Sequence, residues 1–270
     1  MTNLPDFVIP LDDYTETINM MVYADPGVGK TVFAGSARTL IIATEHGTVS
    51  AARQGAAKNG SKMVDCVNNW SRVEETYEWL KIAAGEPDFP FDWVAIDTGT
   101  EMQSLILEDI VENDADSDPD RNRYKVELQE WGEQQQKLRS FVKKFNDLPV
   151  NTLWLAHAMQ TEDEEGNEFR MPQFHGKGNQ VAMWVCAQMH AYGYMHVVTV
   201  TNKETGAKRK VRRIQWRADE KYRAKDRFDC LGISTTGLTL AQITKKIEDS
   251  ASVEEPTKKA PARVAAKKEN

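Results

Sequence analysis

The chain has 270 residues, of which 40% are hydrophobic and 28% charged, ordinary values for one α/β domain with appendages, and no apolar run approaches the about 18 residues of a membrane span. Its net charge of −7 excludes a globally basic nucleic-acid binder, so any such contact must be local. Cys66, Cys186 and Cys230 lie far apart with no Cys-x-x-Cys pair, which argues against both a disulfide framework and a zinc site, and the first residues lack a basic stretch followed by an apolar one, so a cytoplasmic location is expected.

Residues 1–15 hold two prolines and few periodic apolar positions and read as an irregular N-terminal arm. Residues 17–23 are strand-like, 31–37 continue as a short helix and 40–44 form a second apolar run, which together make a βαβ unit. A third strand is predicted at 63–67 and a helix at 71–84, where Val73, Tyr77, Leu80 and Ile82 have helical spacing. Residues 93–97 form a buried strand that ends in Asp97. Helices follow at 101–112 and 127–146 around an acidic, proline-containing stretch, and then a strand at 152–156. Alternation of this kind favours a mainly parallel sheet covered by helices on both faces. Beyond residue 190 the pattern changes: 195–201 and 211–217 look like two strands of an antiparallel hairpin around Asn202-Lys203-Glu204-Thr205-Gly206. Residues 249–270, rich in Ala, Lys, Glu and Pro, read as a disordered tail, which leaves 16–248 as the folded domain.

The octapeptide Ala24-Asp25-Pro26-Gly27-Val28-Gly29-Lys30-Thr31 follows a strand and opens a helix. In a Gly-x-x-x-x-Gly-Lys-Thr loop, backbone N–H groups converge on phosphate oxygens, the lysine pairs with the outer phosphates and the threonine hydroxyl ligates Mg²⁺. ATP and Mg²⁺ are therefore the expected ligands, held by Asp25, Pro26, Gly27, Val28, Gly29, Lys30 and Thr31. Ala24 replaces the first glycine, at a cost of about 1 kcal/mol if the loop needs a positive φ there. Asp97, at the end of its strand, is placed to support the metal with Thr31. Glu45, just past the strand after the loop helix, could orient the water that attacks a γ-phosphate. A capping Asp and a surface Glu are the alternatives for those two carboxylates.

Thr44-Glu45-His46-Gly47 resembles the segment carrying the catalytic glutamate in RecA. Ala95-Ile96-Asp97-Thr98 resembles its Walker B strand, and Asn151-Thr152-Leu153-Trp154-Leu155-Ala156-His157 the strand that ends in a γ-phosphate sensor. RecA has glutamine at the position of His157; phage relatives of the Sak-four single-strand-annealing ATPases are similar to this chain in placing histidine there. Gly176-Lys177-Gly178-Asn179-Gln180-Val181-Ala182 resembles the Gly-Gly-Asn-Ala-Leu segment after the second DNA loop of RecA, and Ala224-Lys225-Asp226-Arg227 the Ala-Lys-x-Arg segment of the phage family. The resemblance spans about residues 17–230. It implies a RecA-like P-loop core with a C-terminal hairpin, and a DNA-stimulated Mg-ATPase of phage recombination working in the host bacterial cytoplasm. It also implies a homo-oligomer with ATP between subunits, single-stranded DNA as partner and a single-strand-binding protein beside it. His157 would report the γ-phosphate, and Lys225 and Arg227 would reach a neighbouring subunit's nucleotide.

By the same resemblance the DNA loops fall near residues 113–125 and 159–178. The first mixes Asp114, Asp116, Asp118 and Asp120 with Arg121, Arg123 and Lys125, and Pro119 and Lys125 exclude a calcium loop. The second, with Arg170, Phe174, His175 and Lys177, offers a basic-aromatic mixture suited to phosphates and unstacked bases, although a polar surface loop fits the same residues. Lys208-Arg209-Lys210 on the hairpin is a further DNA candidate or a solvated face. Two other functions use the same loop: a small-molecule or nucleotide kinase with Arg121, Arg123 and Arg139 on a lid, and a noncatalytic ATP-gated scaffold or loader in DNA replication.

Overall fold

The apolar runs become the inner strands of one sheet. The computed structural model describes Val8 and residues 17–118, 120–202 and 204–251. The strands are β1 (Asn19–Ala24), β2 (Thr39–Ala43), β3 (Lys62–Asp65), β4 (Trp93–Asp97), β5 (Asn151–Glu162), β6 (Glu168–Pro172), β7 (Ala191–Thr201), β8 (Lys208–Gln215), β9 (Lys225–Asp226) and β10 (Ser234–Thr236). The helices are α1 (Lys30–Ala34), α2 (Val49–Arg53), α3 (Trp70–Ala83), α4 (Gly99–Ser117), α5 (Leu128–Asn146), α6 (Gln180–Ala187) and α7 (Leu240–Ala251). The main sheet has the order β10-β8-β7-β1-β5-β4-β2-β3. From β3 to β7 the neighbours are parallel, while β8 and β10 continue antiparallel. The strand before the phosphate loop, β1, is separated from the strand carrying Asp97, β4, by β5 alone. This is the expected RecA-like P-loop architecture, an α/β sheet with an antiparallel hairpin at its C-terminal end.

Side-chain alternation explains why the inner strands are mainly apolar. Met21, Tyr23, Val94, Ile96 and Trp154 point into the layer that holds α3, α4, α5 and α6, whereas Met20, Val22, Trp93, Ala95 and Leu153 point into the layer of α1 and α7. Both faces are covered, and polar residues within these strands, such as Thr152 and Thr39, are buried with partners: Thr152 Oγ1 donates to Asn19 Oδ1 at 2.6 Å and Thr39 Oγ1 to the Ala34 carbonyl at 2.8 Å. Ile82, counted above in the apolar stripe of its helix, is 73% exposed; α3 buries Trp70, Val73, Thr76 and Leu80 instead.

Several elements differ from the sequence reading. Residues 159–178 are not one loop: β5 runs on to Glu162 and pairs antiparallel with β6. Helix α4 continues to Ser117, into the stretch assigned to the first DNA loop. Helices α2, α6 and α7 are additions, and α7 extends to Ala251, inside the segment read as tail. The arm at 1–15, Val8 apart, and residues 252–270 of the tail lie outside the described residues. Among the described residues no helix is long and apolar enough to cross a membrane.

Candidate nucleotide site

The parallel sheet places the ends of β1, β2, β4 and the middle of β5 side by side. In register, Ala24 opposes His157 and Ala43 opposes Asp97, so the phosphate loop, Glu45, Asp97 and His157 meet at one edge, where α/β sheets bind ligands. The reason Ala24 is tolerated is now plain. It is the last, fully buried residue of β1, in extended conformation, and the positive φ values fall at Gly27 (78°) and Gly29 (103°). Alanine has no penalty in a strand.

Lys30 is 6% exposed, and its Nζ donates to the Ala24 carbonyl at 3.4 Å and lies 3.3 Å from His157 Nδ1. Burial lowers its pKa, with the carboxylates of Glu45, Asp97 and Asp25 opposing that shift. On the other side of the imidazole, Nε2 lies 2.9 Å from Glu45 Oε2. An ammonium can only donate, so Nδ1 accepts and the ring proton sits on Nε2, directed at the Glu45 carboxylate. The backbone N–H of His157 donates to Thr100 Oγ1 at 3.0 Å, which fixes the strand beneath the ring.

Asp97 is 2% exposed. Burial pushes its pKa up to about 6, against a hydrogen bond from the Thr31 side chain that lowers it, and the Glu45 charge raises it further. Its Oδ1 has no hydrogen-bond partner among the described residues. A buried, orphaned carboxylate oxygen beside a threonine hydroxyl is a donor set suited to a hard divalent cation, so these residues fit Mg²⁺. Glu101, in the first turn of α4, was missed by the sequence reading: its carboxylate joins Glu45 and His157 in a set whose ligand atoms lie within 4.8 Å of one another and could hold a cation. Its signal was its place one turn after Asp97. The loop, Glu45, His157 and Arg212 enclose a cavity of about 420 Å³.

Asp25 is held from two later strands. Arg170 Nη1 on β6 donates to Oδ1 at 2.6 Å and the Tyr194 hydroxyl on β7 donates to Oδ2 at 2.9 Å. Arg170, expected on the second DNA loop, is an ion-pair partner of the phosphate loop. Phe174, expected on the same DNA loop, is instead 2% exposed and packs against Gly99 and Trp154 in the core, so it offers no surface for a base. His175 and Lys177 are exposed, as are Lys208, Arg209 and Lys210 at the far end of the hairpin. In the first DNA-loop region Arg121 pairs with Glu130 and Arg123 with Asp116, and Arg139 lies over Trp184, so none of the arginines considered for a kinase lid lines the cavity.

Lys225 and Arg227 do not reach their own chain's loop. Strand β9 pairs with the start of β7, at Ala191 and Tyr192, whereas the loop follows the other end of β1. Lys225 Nζ donates to the Cys186 and Ala187 carbonyls at 3.1 and 3.3 Å, satisfying acceptors at the end of α6, while Arg227 is exposed.

No curated protein sequence matches the chain. Among solved structures it is similar to the flagellar accessory protein FlaH from Methanocaldococcus jannaschii, with 10% identity and a TM-score of 0.33 over 73% of this chain and 79% of that one. The family model described as AAA domain matches residues 16–228, the greater part of the chain and the whole of the site just described, and the chain thus belongs to the AAA domain family.

Proposed function

We propose that the chain is a Mg²⁺-dependent ATPase that binds single-stranded DNA as an oligomer and promotes annealing or homologous recombination, in a phage context. The observation that supports the hydrolytic part is the convergence of Glu45, Asp97 and His157 on Lys30 and Thr31. Lys30 offsets charge on the outer phosphates. Mg²⁺, held by the Thr31 hydroxyl and the Asp97 carboxylate, would withdraw electron density from phosphate oxygens. Glu45 has one oxygen on His157, and its other oxygen carries no protein hydrogen bond among the described residues. That oxygen takes the proton of the water attacking the γ-phosphorus, while the bond from that phosphorus to the bridging oxygen breaks and ADP leaves. His157 joins Glu45 to Lys30, so loss of the γ-phosphate changes the balance of charge across the ring.

The DNA part rests on the exposed cations Lys177, Lys208, Arg209 and Lys210 and on the resemblance set out above. The in-trans role of Lys225 and Arg227 requires a neighbour, and Lys225 must then leave the α6 carbonyls. The test is phosphate release and particle size with and without single-stranded DNA and Mg-ATP. Stimulated turnover that Lys30→Ala and Glu45→Gln each abolish is the expected result. Turnover indifferent to DNA would refute the recombination role and leave the ATPase.

A further inference from the structure

The hairpin formed by β7 and β8 carries Lys208, Arg209, Lys210, Arg212 and Arg213, which in sequence look like one basic run. Strand alternation divides it. Arg213 faces one side of the sheet and donates Nε to Thr236 Oγ1 at 2.9 Å. Arg212 faces the other side and donates Nε to the Val28 carbonyl, inside the phosphate loop, at 3.0 Å. The two surfaces are fitted to each other: a Cβ on Gly29 would lie 2.5 Å from both Nε and Nη2 of Arg212. Gly29 is thus required twice, for its φ of 103° and for the approach of the guanidinium.

Arg212 lines the same cavity as Lys30, Glu45 and His157. It is half-buried, and no carboxylate pairs with it among the described residues; burial alone acts on its pKa, in the downward direction. A partly desolvated cation without an anion is unfavourable. The other basic residues near the loop are placed differently: Lys30 faces acids, and Arg170 is paired with Asp25. One N–H of Arg212 is engaged by Val28, and among the described residues no side chain or carbonyl takes the remaining N–H groups of its planar fork.

We propose that Arg212 is a phosphate-binding residue acting in cis, whose guanidinium neutralises the phosphate chain of a nucleotide held by the same subunit's loop and so ties the C-terminal hairpin to nucleotide occupancy. This rests on the nucleotide reading of the site and adds to it a cation that comes from 184 residues beyond the loop. It also separates Arg212 from Lys225 and Arg227, which sit at the opposite end of the sheet.

Binding of fluorescent ATP, ADP and adenosine analogues to the full chain and to Arg212→Gln, Arg212→Lys and Lys30→Ala tests it, with each variant's fold checked by thermal unfolding. Arg212→Gln should weaken ATP and ADP roughly ten- to hundredfold and leave adenosine unchanged. Arg212→Lys should recover part of the loss. Glutamine can still donate a hydrogen bond to Val28 whereas lysine keeps the charge, so recovery by lysine alone separates phosphate binding from mere support of the loop. Equal ATP affinity in Arg212→Gln and the unmodified chain, with Lys30→Ala impaired, would overturn the proposal and spare the nucleotide reading. A chain that binds no ATP at all would overturn both. Mixing Arg212→Gln with Lys30→Ala subunits should restore no ATPase activity, and recovery on mixing would assign Arg212 to a neighbour's nucleotide and overturn the cis role.

Discussion

Replacing Asp97 with Asn should stabilise the metal-free, nucleotide-free protein at neutral pH while abolishing Mg²⁺-dependent ATP hydrolysis. Asp97 is 2% exposed, its Oδ1 has no hydrogen-bond partner among the described residues, and burial moves its pKa from 3.8 to about 6. A difference of about 2 units corresponds to about 3 kcal/mol at 1.36 kcal/mol per unit. The folded-state value lies above the unfolded one, so the folded protein holds the extra proton between the two. The penalty is therefore absent below about pH 4, grows as pH rises through the window, and is complete above about pH 6. Asparagine has no charge to desolvate and can still accept from Thr31. Urea unfolding in the presence of a chelator should show the variant gaining up to about 3 kcal/mol at about pH 8 and almost nothing at about pH 4, equivalent to roughly 6–12 °C in Tm at the higher pH. Added Mg²⁺ should narrow the gap by stabilising only the aspartate form. A variant destabilised equally at both pH values would refute the reasoning, because the buried charge would then carry no net cost.

Ala24→Gly should leave ATP hydrolysis intact and lower stability by about 0.5–1 kcal/mol in denaturant titration, since the position is buried strand with no need for glycine. Phe174→Ala should cost about 3–5 kcal/mol, read from the urea midpoint, with no loss of DNA affinity beyond that due to unfolding. Replacing Lys208, Arg209 and Lys210 together with Ala should weaken single-stranded DNA binding and reduce the salt slope of log K by about 2, measured by anisotropy across salt concentrations. An unchanged slope would mean that the three cations are only a solvated face.

The inner strands were legible because β1, β2, β4 and β5 are buried on both sides, which demands mainly apolar runs and leaves few other readings. Glu45 and Asp97 were legible for a related reason, since each follows such a run directly. Their joining through His157 was not: Glu45 and His157 are 112 residues apart, and only the order of strands brings them to 2.9 Å. Helix α7 could have been found. Thr239 and Gln242 exchange hydrogen bonds as a capping box, and Leu240, Ile243 and Ile247 repeat at helical spacing into the core, but the Lys- and Ala-rich tail that follows masked them. The turn at 163–167 was also readable. Asp163 accepts from the N–H groups of Glu165 and Asn167, an arrangement that aspartate before Gly166 favours, and it returns the chain as β6. Phe174 shows the limit of composition. An aromatic among basic residues serves a nucleic-acid surface or a core equally well, and what decides between them here is the missing side chain of Gly99, which leaves the space that Phe174 fills.

The phosphate loop itself is short, and α1 after it is a helix of five residues, so its shape depends on groups supplied by later strands. Val28 is held by Arg212 from β8, Asp25 by Arg170 from β6 and by Tyr194 from β7, and Lys30 faces His157 on β5. Tyr23, one strand position before Ala24, extends the chain of contacts: its hydroxyl donates to the carbonyls of Arg170 and Arg223. The Arg212 bond joins the loop to β8, which carries exposed Lys208, Arg209 and Lys210, and the Arg170 bond joins it to β6, which exposed Lys177 follows. Strand β5, by contrast, runs out to the acidic turn at Asp163, Glu164 and Glu165. A displacement of the loop by the length of a hydrogen bond must either break the Asp25 and Val28 contacts or carry β6 and β8 with it. The Arg170 to Asp25 pair, with side chains 34% and 43% exposed, contributes at most about 1 kcal/mol and is readily broken, whereas Arg212 is half-buried and would lose its contact with the loop. A nucleotide at Lys30 that displaces the loop should therefore act through the Arg212 contact on β8, the strand that carries Lys208, Arg209 and Lys210.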